Sequence, residues 1–256
     1  MKFGIKQFSN RFEQYEKALI DYWKQDLYDY IELYVFPNHL EELSKWKDLK
    51  KKYGIKYTIH APHFSQRVNL AEKSYFDFNK IAYDEVNTFA KELDAEYTVV
   101  HGGMDGDVEE IIRQIKLIQP YKMKIENKPL AAPRNPDTMI CRGATIKEIE
   151  YIMSNYNCEF NFDIGHAFCS AVSQNIDQYE YMDKFLKLNP TSYHLSDGEF
   201  NNRIDVHCHI SEGDYNWNKI IPKLNKNLNW TLETLTKNDT AGLDKVIEDI
   251  NKIRAI

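Results

Sequence analysis

Short runs rich in β-branched and aromatic residues alternate along the whole chain with longer runs whose apolar residues recur at helical spacing. This alternation constrains the fold more than any other feature. The strand candidates are "KFGIKQF", "YIELYVF", "KYTIHAP", "EYTVVHGG", "YKMKIEN", "CEFNFDIGHA", "TSYHLSD" and "NWTLET". Between them, Val108, Ile111, Ile112, Ile115 and Ile118 share one helical face, as do Trp217, Ile220, Ile221 and Leu224. A last helix buries Leu243, Val246, Ile247 and Ile250. Gly54, ending "KKYG", and the pair Asp94–Ala95 read as helix stops. Strands alternating with helices imply right-handed βαβ units and a parallel sheet. Eight such units in 256 residues predict a single α/β domain over residues 1–256, a (β/α)8 TIM barrel. An open doubly wound sheet is the competing topology, but no GxGxxG follows the first strand.

Composition narrows the class. A hydrophobic share of 43% suits a sizeable core, and a net charge of −6 offers no basic field for reading bulk phosphate charge. The start, "MKFGIKQFSNRFEQYEK", carries charges where a leader needs an apolar run, and no stretch reaches the ~18 apolar residues of a membrane span. Four cysteines (Cys141, Cys158, Cys169, Cys208) without CxxC spacing point to a reducing, cytoplasmic setting.

The ionisable residues then fall in one place. His60, His101, Glu126, Asp163 with His166, His194 and Glu233 end the third to eighth predicted strands, and Asp205 and His207 lie in the loop after the seventh. In a parallel barrel those ends converge on one mouth, where active sites are built. Burying so many ionisable groups together is costly without a cation to neutralise them. Imidazoles and carboxylates with no thiolate suit zinc, with manganese and iron as alternatives, better than calcium or magnesium. Nine ligands exceed what one ion can use, whereas two or three ions sharing a bridging carboxylate would use them all. A long loop, "KPLAAPRNPDTMICRGA" (128–144), follows the fifth strand, where barrels place lids or substrate walls.

The ordered motifs "IHAP…NLA", "VVHGG", "IENKP", "FDIGHAF", "YHLSD", "DVHCHISEGDYNW" and "TLET" resemble the xylose isomerase-like TIM-barrel superfamily, and within it the endonuclease IV branch, AP endonuclease family 2. The resemblance spans roughly residues 56–235. It implies up to three zinc ions. His60 and His101 would hold the first. Asp163, His194 and Glu233 would hold the second, with Glu126 bridging the two. His166, Asp205 and His207 would hold the third. The implied activity is a metal-dependent hydrolase cleaving a phosphodiester, in abasic-site DNA or a related phosphate ester.

Other segments depart from that pattern. The loop after the first strand reads "SNRFEQYEK" without the glycines of the repair enzymes, "APHFSQRV" is longer than their wedge segment, and "IENKP" replaces Glu-Asn-Thr-Ala-Gly. A DNA-binding reading expects a rim from Arg67, Arg134, Arg142 and Arg203, with His63 and Phe64 as wedge residues and His209 as a phosphate contact. The alternative is a sugar or sugar-phosphate isomerase or epimerase. It would use one divalent metal on Glu126, Asp163, His194 and Glu233, with Glu126 and Glu233 as the catalytic pair that moves the proton. The 128–143 loop would then close over a small phosphorylated sugar.

Overall fold

A computed structural model describes residues 1–133, 135–234 and 242–256; Arg134 lies outside the described residues. Eight parallel strands close into a barrel: β1 (Lys2–Phe8), β2 (Tyr30–Tyr34), β3 (Tyr57–His60), β4 (Thr98–His101), β5 (Met123–Glu126), β6 (Glu159–Asp163), β7 (Ser192–Leu195) and β8 (Asn229–Leu232). Each strand pairs with its sequence neighbours, and β1 pairs with β8. The helices around it are α1 (Phe12–Trp23), α2 (Leu43–Tyr53), α3 (Phe76–Glu92), α4 (Val108–Ile118), α5 (Ile146–Tyr156), α6 (Ile164–Ser173), α7 (Gln178–Leu186), α8 (Trp217–Ile220) and α9 (Gly242–Arg254). The expected (β/α)8 architecture is the one observed.

Strand alternation sorts the two faces. Phe3, Ile5, Ile31, Leu33, Ile59, Val100, Ile125, Phe160, Phe162, Leu195, Trp230 and Leu232 point outward and form one core cluster with the helices. The registers place Lys6 beside Glu32, His101 beside Glu126 and Asp163 beside His194, so polar residues fill the inner rows. At the first strand, a Cβ on Gly4 would come within 2.2 Å of the Tyr30 ring. Glycine there lets that ring occupy the barrel interior, where its hydroxyl meets Thr231 Oγ1 at 2.9 Å.

Three elements differ from expectation. The run "CEFNFDIGHA" does not continue as a strand to His166. Asp163 ends β6 and caps α6, its Oδ1 accepting from the His166 N–H at 2.7 Å, so His166 sits in a helical first turn. The sixth unit therefore carries two helices, α6 and α7, where one was expected. The helix expected over Trp217–Leu224 is one α turn followed by a 3-10 turn, Ile221–Lys223, because Pro222 has no N–H to continue the ladder. The 128–143 loop is ordered as a hairpin: Ala131 bridges Ile140, and Cys141–Arg142 pairs antiparallel with Gly103–Met104 beyond β4.

Candidate metal centre at the barrel mouth

Glu126 is at the middle of the site. Its Oε2 lies 3.0 Å from His101 Nε2, 3.4 Å from His60 Nε2 and 3.4 Å from His194 Nδ1, and its Oε1 lies 3.1 Å from His166 Nδ1. One fully buried carboxylate thus touches four imidazoles from four elements. Burial alone would raise its pKa, but His101 and His194 hold it well below the usual carboxylate range.

The second nitrogen of each imidazole fixes which atom faces the mouth. His60 Nδ1 donates to Ala61 O at 2.8 Å, leaving Nε2 inward, and the ring stacks on Tyr34 with centroids 5.1 Å apart. His166 Nδ1 lies 2.8 Å from Asn127 O, and Asn127 also exchanges two 2.8 Å bonds with the Asp163 backbone, tying β5 to β6. His194 Nε2 meets Glu32 Oε2 at 2.9 Å, while its Nδ1 faces Glu233 Oε1 at 2.7 Å. Burial works against a charged imidazole there, yet Glu32, Glu233 and Glu126 push His194 well above its ordinary value. Burial drives His101 and His63 well below theirs, which keeps both neutral.

Four groups of side chains come together closely enough to share an ion: His60, His101 and Glu126; His166, Asp205 and His207; Glu126, Asp163 and His166; and Glu32, His60, His194 and Glu233. All nine residues singled out in the sequence belong to one group or another. Asp163 lies with Glu126 and His166 rather than with His194 and Glu233, because its capping bond to α6 fixes the carboxylate there. The donor set fits a cation physically. His60 Nε2, His101 Nδ1, Asp163 Oδ2, Asp205 Oδ2 and His207 Nδ1 are buried without a hydrogen-bond partner. Such atoms are rare in native proteins unless an ion or water serves them.

Glu32, Lys6 and Asn127 were missed in the sequence. Lys6, on the inner face of β1, is bonded to Glu233 and lies 3.8 Å from Glu32 Oε1. The available signal was a charged residue inside a short strand, "YIELY" or "KFGIKQF", whose two faces are both buried in a parallel barrel.

The loop after β7 is built around Asp197. Its Oδ1 accepts from the Gly198 and Tyr215 N–H groups at 2.9 and 3.1 Å, and its Oδ2 accepts from Ser211 N and Trp217 Nε1 at 2.8 and 3.0 Å. This holds Asp205 and His207 over the mouth, where His207 Nε2 lies 3.3 Å from Asp205 Oδ2. A Cβ added at Gly165 would meet Ser196 Oγ at 3.2 Å and Asp205 Oδ1 at 3.4 Å.

The expected substrate residues divide. His63 and Phe64 line a cleft of about 120 Å³ beside His101, together with Ser65, Met104, Lys128, Pro133 and Cys141, and the His63 and His101 rings stack 4.9 Å apart. The other described residues of the expected rim make contacts within the protein. Arg67 stacks on Phe78, and Arg142 bonds Asp105 O at 2.8 Å and Glu148 Oε1 at 3.2 Å. Arg203 bonds Asp137 Oδ1 at 2.9 Å and Pro136 O at 2.7 Å, joining the loop after β7 to the hairpin. His209 is buried against α9, its Nδ1 2.6 Å from Asp249 Oδ2. No helix among the described residues is long and apolar enough to cross a membrane.

A closed barrel with a ring of imidazoles and carboxylates at its C-terminal mouth defines a class of TIM-barrel proteins whose mouth could hold metal ions. The chain belongs to the xylose isomerase-like TIM-barrel family, whose model matches residues 24–255. The uncharacterised protein MJ1311 of Methanocaldococcus jannaschii is 21% identical over 204 residues, which cover 75% of this chain and 66% of that protein, just under two thirds of its length. Among solved structures, a D-tagatose 3-epimerase-like protein superposes with a TM-score of 0.73 at 20% identity, covering 99% of this chain and 98% of that one. An AP endonuclease, family 2, from Brucella melitensis gives 0.64 at 13% identity, covering 94% and 96%. At these identities the likeness is one of fold.

Proposed function

We propose that the chain is a metal-dependent hydrolase of a small phosphate ester, with a multinuclear centre at the barrel mouth. The observation that carries this reading is Glu126, whose two oxygens reach the imidazoles of separate ligand groups. A one-metal epimerase needs only a single four-residue site. It gives no reason for burying His60, His101 and His166 beside that site. Divalent ions bound here would lower the pKa of a water and stabilise charge on phosphoryl oxygens. The protein's own part is positional. Glu126 and Glu233 hold the ligand groups together, Glu32 orients His194, and Asn127 orients His166. The cleft beside His101 offers apolar walls from Phe64, Met104 and Pro133 to the body of the substrate.

Access supports a small substrate over abasic-site DNA. The hairpin walls the cleft, and Arg203 couples it to the loop after β7, so two loops stand where a duplex would dock. Arg142 and Arg203, which a phosphate rim would use, are engaged by Glu148 and Asp137.

The second reading is an epimerase or isomerase of a small phosphorylated sugar. It is favoured by the same enclosed cleft and by two carboxylates, Glu126 and Glu233, that face one barrel mouth. Isotopes separate the two reactions. With zinc-, manganese- or iron-loaded protein and a panel of sugar phosphates and phosphodiesters, hydrolysis in H2(18)O puts 18O into the product. Isomerisation in D2O instead puts deuterium on the substrate carbon beside the carbonyl. Deuterium incorporation without 18O incorporation would sink the hydrolase reading, and cleavage of an abasic-site duplex in preference to the panel would overturn the small-substrate reading.

A further inference from the structure

Lys128 faces the group formed by His166, Asp205 and His207. It follows Glu126 and Asn127 at the end of β5. Its backbone N–H donates to Gly143 O at 3.0 Å, and Pro129 restricts the next step of the chain, so its Cα is held at the base of the hairpin. Its Nζ lies 3.4 Å from Nε2 of His166. That nitrogen is the one His166 can offer to an ion, because Nδ1 is used on Asn127 O. A neutral imidazole nitrogen has a single lone pair. An ion bound to it at about 2.1 Å would collide with an ammonium approaching the same lone pair.

We propose that Lys128 supplies the cation of this third group, so that the chain saturates with two divalent ions and not three. The inference rests on the multinuclear reading above. Charge supports it. Five carboxylates (Glu32, Glu126, Asp163, Asp205 and Glu233) converge here, and Lys6 and Lys128 are the ammonium groups that the described contacts place against the ligand residues. Two divalent ions bring this total close to neutrality. Three ions beside both lysines would leave a buried positive excess, which is costly. Asp205 Oδ2 lies 3.3 Å from the same His166 Nε2.

The test counts metal. Metal-stripped wild type, Lys128→Met and the double variant Lys128→Met/His166→Gln are equilibrated with Zn2+, freed of excess by gel filtration, and analysed for zinc per chain. Circular dichroism checks folding, and Lys128→Ala serves as a second variant. The expected result is two ions in wild type, three in Lys128→Met or Lys128→Ala, and two again in the double variant. Three ions in wild type would overturn the inference and leave the multinuclear reading standing. Two in wild type with two in both folded single variants would likewise overturn the inference alone. One ion or none in wild type would overturn both readings.

Discussion

Changing Glu32 to Gln tests whether a carboxylate bonded to His194 controls the proposed metal centre. Glu32 is fully buried on the inner face of β2, with Oε2 2.9 Å from His194 Nε2 and 3.2 Å from Thr231 Oγ1. The carboxylate fixes which His194 nitrogen faces inward and makes the ring a stronger donor. Glutamine keeps the shape and one acceptor oxygen but removes the charge. A charge-assisted hydrogen bond contributes about 1.5–3 kcal/mol and a neutral one about 0.5–1.5, so the loss is about 1–2 kcal/mol. That agrees with the roughly 10–100-fold fall in metal affinity seen when the hydrogen-bond partner of a ligating histidine is removed.

The assay is a competition titration of metal-stripped protein against a fluorescent zinc chelator, run on wild type and Glu32→Gln side by side. The ion held by His194 and Glu233 should bind about tenfold more weakly or worse. The ion nearest His60 and His101 should change less, because those rings take their orientation from Ala61 and from stacking on Tyr34 and His63. Equal affinities at every site in a folded variant would refute the role assigned to Glu32. An equal loss at all sites would refute its confinement to His194.

Four further outcomes are expected. Gly4→Ala pushes a methyl into the Tyr30 ring and should lower the denaturation midpoint by an amount worth about 1–3 kcal/mol; a wild-type midpoint contradicts the packing described. Lys6→Met removes the ammonium bonded to Glu233, so the metal-free melting temperature should fall and added zinc should restore much of it; a melt unchanged with and without zinc counts against this. Arg203→Ala should cost less than about 1 kcal/mol of stability, since the Asp137 pair is exposed, yet it should speed protease cleavage within the hairpin in a limited digest. Burial pushes the Cys158 thiol up to about 11, so its alkylation at pH 8 should run roughly 200-fold below that of an ordinary thiol and rise tenfold per pH unit until that value; peptide mass spectrometry after timed iodoacetamide pulses checks it.

The nine ligand candidates were legible because a parallel barrel gathers strand ends, and six of the eight strands carry a histidine or acid at or just past that end. What the sequence hid follows from the same geometry. Lys6 and Glu32 sit mid-strand, side by side in register, where a polar residue in an alternating pattern reads as solvent-facing. Only closure of the barrel turns that face inward. The segment "DVHCH" separates two histidines that the sequence set together. In an extended strand Asp205, His207 and His209 would share one face. His207 instead adopts φ of 50°, and Cys208 pairs its backbone with Asp197, so the chain turns between the two histidines. His207 stays over the mouth while His209 reaches Asp249 on α9. Three arginines of the expected rim make contacts within the chain, Arg67 with Phe78, Arg142 with Asp105 and Glu148, and Arg203 with Asp137. Charge placed near a mouth by loop position says nothing of which backbone carbonyls and carboxylates lie closer than a ligand.

The layering of the barrel sets how metal binding couples to folding. The apolar cluster lies between strands and helices, outside the barrel and apart from the charged mouth, so the shell should hold together whether or not the mouth is neutralised. Inside, five carboxylates face two ammonium groups, so a metal-free mouth has to take up protons or loosen its loops. An ion that binds only the folded chain adds about 4 kcal/mol when present at a thousand times its dissociation constant. That contribution should fall on the strand ends, the hairpin and the loop after β7, and much less on the helix-packed shell. Hydrogen exchange compared with and without zinc would then show protection gained around residues 128–143 and 196–216, with the amides of β2, β6 and β8 little changed. Protection gained evenly across the barrel would mean that the mouth and the shell fold as one unit and that this division is wrong.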